Sequence, residues 1–291
     1  MITRPLRSVL YMPGSNQRAM DKARSLAADA IIFDLEDAVA PDAKSAARER
    51  VASQLGAGGY GQRQLVVRAN SLDSTWGEAD IRMLASSACE ALCLPKIENL
   101  KQLQRVAGLL AQLGREDIEI WAMIETPEGV KNVESIAGFS SLSVLVMGTT
   151  DLASELRVPH RPDRLGLQYA LSRCVLAARC AGKAILDGVY LELDNSAGLQ
   201  QACEQGRDLG FDGKTLIHPA QIASANSVFG FSEQDLQHAR SVLEVWEQAQ
   251  QAGKGVAVLD GKLVEIMHVG EATRLLELAE WVTQLESETT S

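Results

Sequence analysis

The sequence predicts a TIM-type (β/α)8 barrel followed by a C-terminal helix–hairpin–helix extension, and three observations point there. Short apolar runs alternate with longer amphipathic stretches from the start of the chain to past its middle. Eight such runs fit into about 220 residues, the number and length that a closed α/β barrel requires. Most of them run directly into charged residues, as strands do where they enter the loops that carry function. A doubly wound open sheet is the competitor, but it more often stops at roughly five to seven strands.

In order, the predicted strands are 8–12, 30–35, 65–69, 91–94, 118–124, 143–147, 184–189 and 213–217. The fifth, IEIWAMI, is almost continuously apolar, the pattern of a strand covered on both faces. Thr126 behind it suits a helix N-cap, Pro127 the first helical position and Glu128 the positive helix end. Helical spacing connects Ala19, Ala23, Leu26 and Ala27, then Leu100, Leu103, Val106, Leu110 and Leu113. It returns in Leu167, Leu171, Val175 and Ala178, and in Leu199, Ala202 and Leu209.

The pattern changes after the eighth unit, dividing the chain into a barrel with the active site at 1–228 and a tail at 229–291. Ser232 is a good N-cap for a helix running to about residue 252, which Gly253-Lys254-Gly255 breaks. Apolar runs at 256–259 and 263–266 flank Asp260-Gly261, a hairpin signal. A last helix carries Ala272, Leu275, Leu276, Ala279 and Val282 on one face. The tail is too small to be an independent enzyme, so it reads as a lid on its own barrel or an arm reaching a neighbouring subunit.

With 291 residues, 46% of them hydrophobic, the chain can bury a large core in one or two domains. A formal net charge of −10 argues against nucleic acid or an anionic membrane as partner, while leaving room for a local basic pocket. Cys89, Cys93, Cys174, Cys180 and Cys203 show no CxxC and no ligand-like spacing with the four histidines. Reduced thiols and a cytoplasmic location follow. The N-terminus has no apolar core of a leader, and no run approaches a membrane span, so a soluble, unprocessed protein is expected.

The strand ends supply Tyr11, then Asp34, Glu36 and Asp37, Arg68, Lys96 and Glu98, Glu125, Asp151, Asp187 and His218. Packing does not explain charge at nearly every tip, and a ring of carboxylates with one Arg and one Lys favours a site. Glu125 and Asp151, on neighbouring tips, are the candidate ligands of a hard divalent cation. Oxygen donors alone suit Mg²⁺, which takes one or two carboxylates and keeps several waters. Glu36 and Asp37 suit outer acceptors for metal-bound water, while Asp34 and Asp37 are also candidates for loop caps. Arg68 offers a planar fork for a carboxylate or a developing enolate, and also a counter-charge for Glu36. Arg18 and Lys22, four apart, share a helix face, which on its own reads as a solvated surface pair. His218 before Pro219 reads as structural.

These residues resemble the citrate lyase β-subunit-like acyl-CoA lyases of the HpcH/HpaI aldolase superfamily. The likeness is carried by Arg7-Ser8-x-Leu10-x-x-Pro13-Gly14 and by Ile32-Phe33-Asp34-Leu35-Glu36-Asp37-Ala38-Val39 with Lys44 and Arg48. It continues through Leu94-Pro95-Lys96-Ile97-Glu98, Ile124-Glu125-Thr126-Pro127, Gly148-x-x-Asp151 and Gly213-Lys214-x-x-Ile217-His218-Pro219. Asp260-Gly261-Lys262-Leu263-Val264 extends it into the tail.

The resemblance implies a Mg²⁺-dependent barrel that cleaves or forms the C–C bond of a malyl-, citramalyl- or citryl-CoA thioester. Glu125 and Asp151 would then bind the metal, and Glu125 and Arg68 would meet the substrate. Tyr11, Arg18 and Lys22 match positions that contact the CoA-bearing substrate, as does the Thr215–Leu216 backbone. Members of this kind form trimers or hexamers whose tail covers the adjacent barrel, so a homo-oligomer is expected.

One departure stands out: the family's tail aspartate is Glu265 here, a carboxylate on a side chain longer by one methylene. The parts suggest retro-Claisen cleavage to acetyl-CoA and a 2-oxo acid, with Arg68, Glu36 and Glu265 as catalytic groups. Three other readings stand beside it. They are a citryl-transfer subunit acting on a carrier-protein thioester, a CoA-independent 2-oxo acid aldolase, and a barrel with a binding role only.

Overall fold

Eight parallel strands close on themselves in sequence order in the computed structural model, which describes residues 4–289. They are β1 (Ser8–Pro13), β2 (Ala30–Asp34), β3 (Gln64–Arg68), β4 (Ala91–Leu94), β5 (Glu119–Ile124), β6 (Leu142–Met147), β7 (Ala184–Asp187) and β8 (Gly213–Leu216). Val9 pairs with Ala30 on one side and Thr215 on the other, which closes the ring. The expected barrel is therefore present, with helices between successive strands.

Four strands, β2, β3, β7 and β8, end one or two residues earlier than their apolar runs suggest, and at β2 and β7 a carboxylate is the reason. Asp34 accepts the N–H groups of Glu36 and Ala38 (2.9 and 3.0 Å) and so bends the chain out of β2. Asp187 accepts the Gly188 N–H (2.9 Å) at the end of β7. Short carboxylates compete well with a sheet ladder for nearby backbone donors.

Alternate residues on each strand face opposite sides. Val9, Ile32, Val66, Cys93, Trp121, Met123, Val146 and Leu186 fill the interior of the barrel. Their neighbours Leu10, Ile31, Phe33, Val67, Leu92, Ile120, Ala122 and Leu145 pack outwards against the helices. That two-sided burial is why the strands read as nearly unbroken apolar runs.

Thr126 caps the helix Pro127–Lys131 as expected, its hydroxyl accepting the Gly129 N–H at 3.1 Å. The helix is only one turn long, because Asn132 interrupts it before Val133–Ala137 and donates to the Glu98 carbonyl at 2.8 Å. Cys89, Cys93, Cys174 and Cys203 are buried and Cys180 exposed, all as free thiols. Among the described residues no helix is long and apolar enough to cross a membrane.

The chain separates into two compact units, one built on Leu6–Phe229 and one on the residues from Gly230 onward. Within the second, Ser232 caps the helix Glu233–Gln251 in a reciprocal box with Asp235. The hairpin β9 (Ala257–Leu259) and β10 (Lys262–Val264) turns through Asp260 and Gly261, both with positive φ (51° and 75°). That is the geometry for which Asp-Gly is selected. The helix Ile266–Thr289 follows, and Ala239, Val242, Ala249, Ala257, Val264 and Ala272 form this unit's own core.

Candidate active site

Three strand ends meet around Arg68, the last residue of β3. Its Nε and Nη2 each donate at 2.7 Å to the two oxygens of Asp34, the last residue of β2. Nη1 lies 3.0 Å from Glu36 and 3.7 Å from Asp37, and the guanidinium covers the Tyr11 ring at 4.9 Å. Two parallel charge-assisted bonds plus a ring beneath them fix the fork in one orientation. Asp34 thus caps its loop, as expected, and also holds Arg68, a role the sequence did not indicate. Lys44 secures the same loop, donating to the Leu35 and Glu36 carbonyls at 2.9 and 2.8 Å.

Glu125 follows β5 and is buried. Its Oε1 accepts the Lys96 N–H at 2.8 Å, and Lys96 adopts a left-handed φ of 50°. Gly148, after β6, leaves the room that the carboxyl fills, since a Cβ there would collide with Glu125 Cβ and Oε2. Burial pushes the Glu125 carboxyl up to about 7; the Lys96 N–H and Arg68 oppose the rise, and Asp151 and Glu36 add to it. Burial likewise pushes Glu36 up to about 7, with Arg68 opposing and Asp37 contributing. The Tyr11 hydroxyl, 3.8 Å from Met123 Sδ, is held well above its ordinary range by burial and then by Cys93.

Asp151 stands in the first turn of the helix Thr149–Leu156, partly exposed. Lys96 Nζ lies 3.8 Å from its Oδ2, too far for a hydrogen bond. Among the described residues no group of three or more His, Cys, Asp or Glu side chains is gathered so as to hold a metal ion. Two carboxylates within mutual electrostatic influence are the donor set that remains.

The matching family model is the HpcH/HpaI aldolase/citrate lyase family, over residues 7–219. The chain belongs to this family. A (3S)-malyl-CoA thioesterase of Cereibacter sphaeroides (strain KD131 / KCTC 12085) is 49% identical over 276 residues, 95% of each chain. The citrate lyase subunit beta of Escherichia coli (strain K12) is 33% identical over 285 residues, 96% of this chain and 94% of its own. Among solved structures, the protein CitE from Mycobacterium tuberculosis in complex with magnesium, acetoacetate and coenzyme A has a TM-score of 0.74 at 28% identity. The match covers 95% of this chain and 98% of that one.

As an HpcH/HpaI family enzyme, the chain gathers Tyr11, Glu36, Arg68 and Glu125 at one end of the barrel, with Asp151 beside them. Arg18 and Lys22 are exposed on the helix Gln17–Ala23. Thr215 and Leu216 are buried in β8, and the Thr215 hydroxyl donates to the Asp187 carbonyl at 3.1 Å. Glu265 belongs to the second unit, where it is exposed and its N–H donates to His268 Nδ1 at 3.0 Å. His218 caps the turn Pro219–Gln221, its Nδ1 accepting the Ala220 N–H at 3.2 Å, a structural role.

Two supports carried no readable signal. The left-handed backbone at Lys96 falls on a residue type that does not advertise it. Asp187, read as a bare strand tip, is clamped by Lys214 at 2.7 Å and Arg164 at 2.6 Å. Burial would raise its carboxyl, but the two cations outweigh that and hold it below the ordinary range. Arg164 comes from a loop 23 residues away in sequence, and only the folded chain brings it there.

Proposed function

We propose that the chain is a magnesium-dependent enzyme acting on the CoA thioester of a short 3-hydroxy diacid of the malyl type, and that it hydrolyses that thioester. The observation carrying this is the 49% identity, over 95% of both chains, to proteins named (3S)-malyl-CoA thioesterase.

Glu125 and Asp151 are the residues that would hold the ion. They fit it as hard oxygen donors, and the Asp151 charge raises the proton affinity of Glu125, a repulsion that a cation relieves. The ion, when bound, supplies Lewis-acid polarisation of substrate oxygen. Arg68, its fork fixed by Asp34, binds a substrate oxygen through Nη1, the donor it now shares with Glu36 and Asp37. Glu36, with its carboxyl near 7, takes or gives a proton at neutral pH. Tyr11 and the Thr215–Leu216 backbone line the path of the thioester arm. Arg18 and Lys22 are placed for CoA phosphates, and both side chains stand exposed.

Residues 229–291 serve as a lid or arm in a homo-oligomer, a trimer or hexamer, and bring Glu265 over a neighbouring barrel. The protein works in the cytoplasm.

The second reading is retro-Claisen cleavage to acetyl-CoA and a 2-oxo acid, favoured by the family's lyase character and the likeness to citrate lyase subunit beta. Incubation with (3S)-malyl-CoA, with and without Mg²⁺, separates the two. Hydrolysis yields free CoA thiol and malate, whereas C–C cleavage yields acetyl-CoA and glyoxylate with no free thiol. Turnover only of a carrier-protein thioester, or only of a CoA-free 2-oxo acid, would replace both. No turnover of any of these would leave a binding barrel.

A further inference from the structure

A second centre of charge lies at the ends of β7 and β8. Lys214, Arg164 and Asp187 form one cluster, with side chains 2%, 12% and 0% exposed. Two cations share a single carboxylate, so a positive charge is held out of water without a counter-ion, which is costly unless compensated. Arg164 Nη2 is also enclosed without a hydrogen-bond partner. Arg164 further adopts a left-handed φ of 48°, a strained conformation for a residue with a Cβ.

Arg164 and Lys214 border a cavity of about 180 Å³, where Arg161 adds a third cation and Leu167, Val189 and Leu191 supply apolar wall. Glu192, the acid on that border, is taken up by the Tyr190 hydroxyl at 3.1 Å and the Asn195 amide at 2.8 Å. A surplus of positive charge and room for a few carbon atoms thus coincide.

We propose that this cavity binds a small organic carboxylate, at a site separate from Glu125 and Asp151. The carboxylate balances the Arg164–Lys214–Asp187 cluster, and its short carbon chain lies against the leucines. A bare inorganic anion would meet the charge but leave the apolar wall without a partner. Thr150 also borders the cavity, so the occupant lies beside the segment carrying Asp151 without needing that carboxylate.

Calorimetric titration of the EDTA-treated full-length protein with pyruvate tests this. Pyruvate is expected to bind wild type and Asp151→Asn with affinities within about twofold. Ala202→Leu fills the cavity from the helix Ser196–Leu209 without touching the charges, and is expected to weaken binding about tenfold or more. Arg164→Gln should weaken it similarly; if that variant does not fold, Ala202→Leu decides. No binding heat in wild type, lost binding in Asp151→Asn, or unchanged binding in Ala202→Leu would each overturn the site. Inorganic phosphate binding where pyruvate does not would overturn the carboxylate assignment. A failed malyl-CoA assay beside intact pyruvate binding strikes only the proposed reaction.

Discussion

Gly148 and Glu125 share one space: a Cβ on residue 148 would lie inside the Glu125 side chain. The φ of Gly148, −93°, is open to any L-residue, so the glycine is needed for room and not for conformation. Gly148→Ala must therefore push the carboxyl off its seat, at a cost of about 1–3 kcal/mol in a packed interior. Magnesium affinity measured by calorimetry should fall at least about tenfold, with a small drop in melting temperature. Unaltered affinity would mean that Glu125 does not hold the ion.

The same carboxyl sets a pH dependence. Its folded value, about 7, lies above the ordinary 4.5, so the stability linked to its proton is complete below about 4.5 and is lost as pH rises through 7. For the metal-free protein that loss is roughly 3 kcal/mol. Chemical denaturation in EDTA from pH 5 to 8 should show it, and Glu125→Gln should flatten it. Saturating Mg²⁺ should restore wild-type stability at pH 8 but leave Glu125→Gln unmoved.

Arg68→Lys keeps the charge and removes the fork. A lysine cannot meet both oxygens of Asp34 while also reaching Glu36. Turnover is expected to fall by about 10²-fold or more, with the larger share in kcat if Arg68 meets charge that develops during reaction. Steady-state kinetics check this; near-normal kcat would make Arg68 purely structural.

The barrel and the carboxylates around its mouth were legible because both depend on period and position. An apolar run covered on both faces reads as a strand, and the residue after it is then a tip, as Glu125 after Ile124 illustrates; Asp151 stands four residues past Met147, in the first turn of the next helix. Partnerships across the mouth were not legible in the same way. Arg68 was read against Glu36, yet its two shortest bonds go to Asp34, because β2 and β3 pair Asp34 with Arg68 in register. Such registers are fixed only by closure of the ring. Lys214 stood within a quoted motif, but its partner Asp187 and the third member Arg164 lie on separate elements that no local spacing connects.

Asp187→Asn tests that cluster. Removing the carboxylate leaves Lys214 and Arg164 facing each other out of water, which should cost about 3–5 kcal/mol. The Asp187 carboxyl is held below its ordinary range, so its stabilisation is full above about pH 4 and fades only as pH falls through the lower folded value. Urea denaturation should show a gap between wild type and variant that is constant from pH 5 to 8 and narrows in stronger acid. A gap that closes near neutral pH would mean that Asp187 is not the ionised partner.

Glu265 offers a test of assembly as well as chemistry. It lies in the second unit, immediately after β10 and before the helix Ile266–Thr289, and its side chain is exposed. If it serves a neighbouring copy's barrel, Glu265→Ala and Asp151→Ala should each be nearly inactive alone. Mixed by unfolding and refolding together, they should regain activity, since some interfaces then pair an intact Glu265 with an intact Asp151. A random trimer would restore roughly a quarter of the wild-type rate, because each partner is intact half the time. The Glu265→Asp variant adds a second reading. Shortening the side chain by one methylene should retain binding of the thioester and shift the ratio of hydrolysis to C–C cleavage, if side-chain reach at this position governs which bond breaks. Mixed oligomers that stay inactive would mean that Glu265 does not serve a neighbouring barrel, and a Glu265→Ala variant active on its own would place Glu265 outside the reaction.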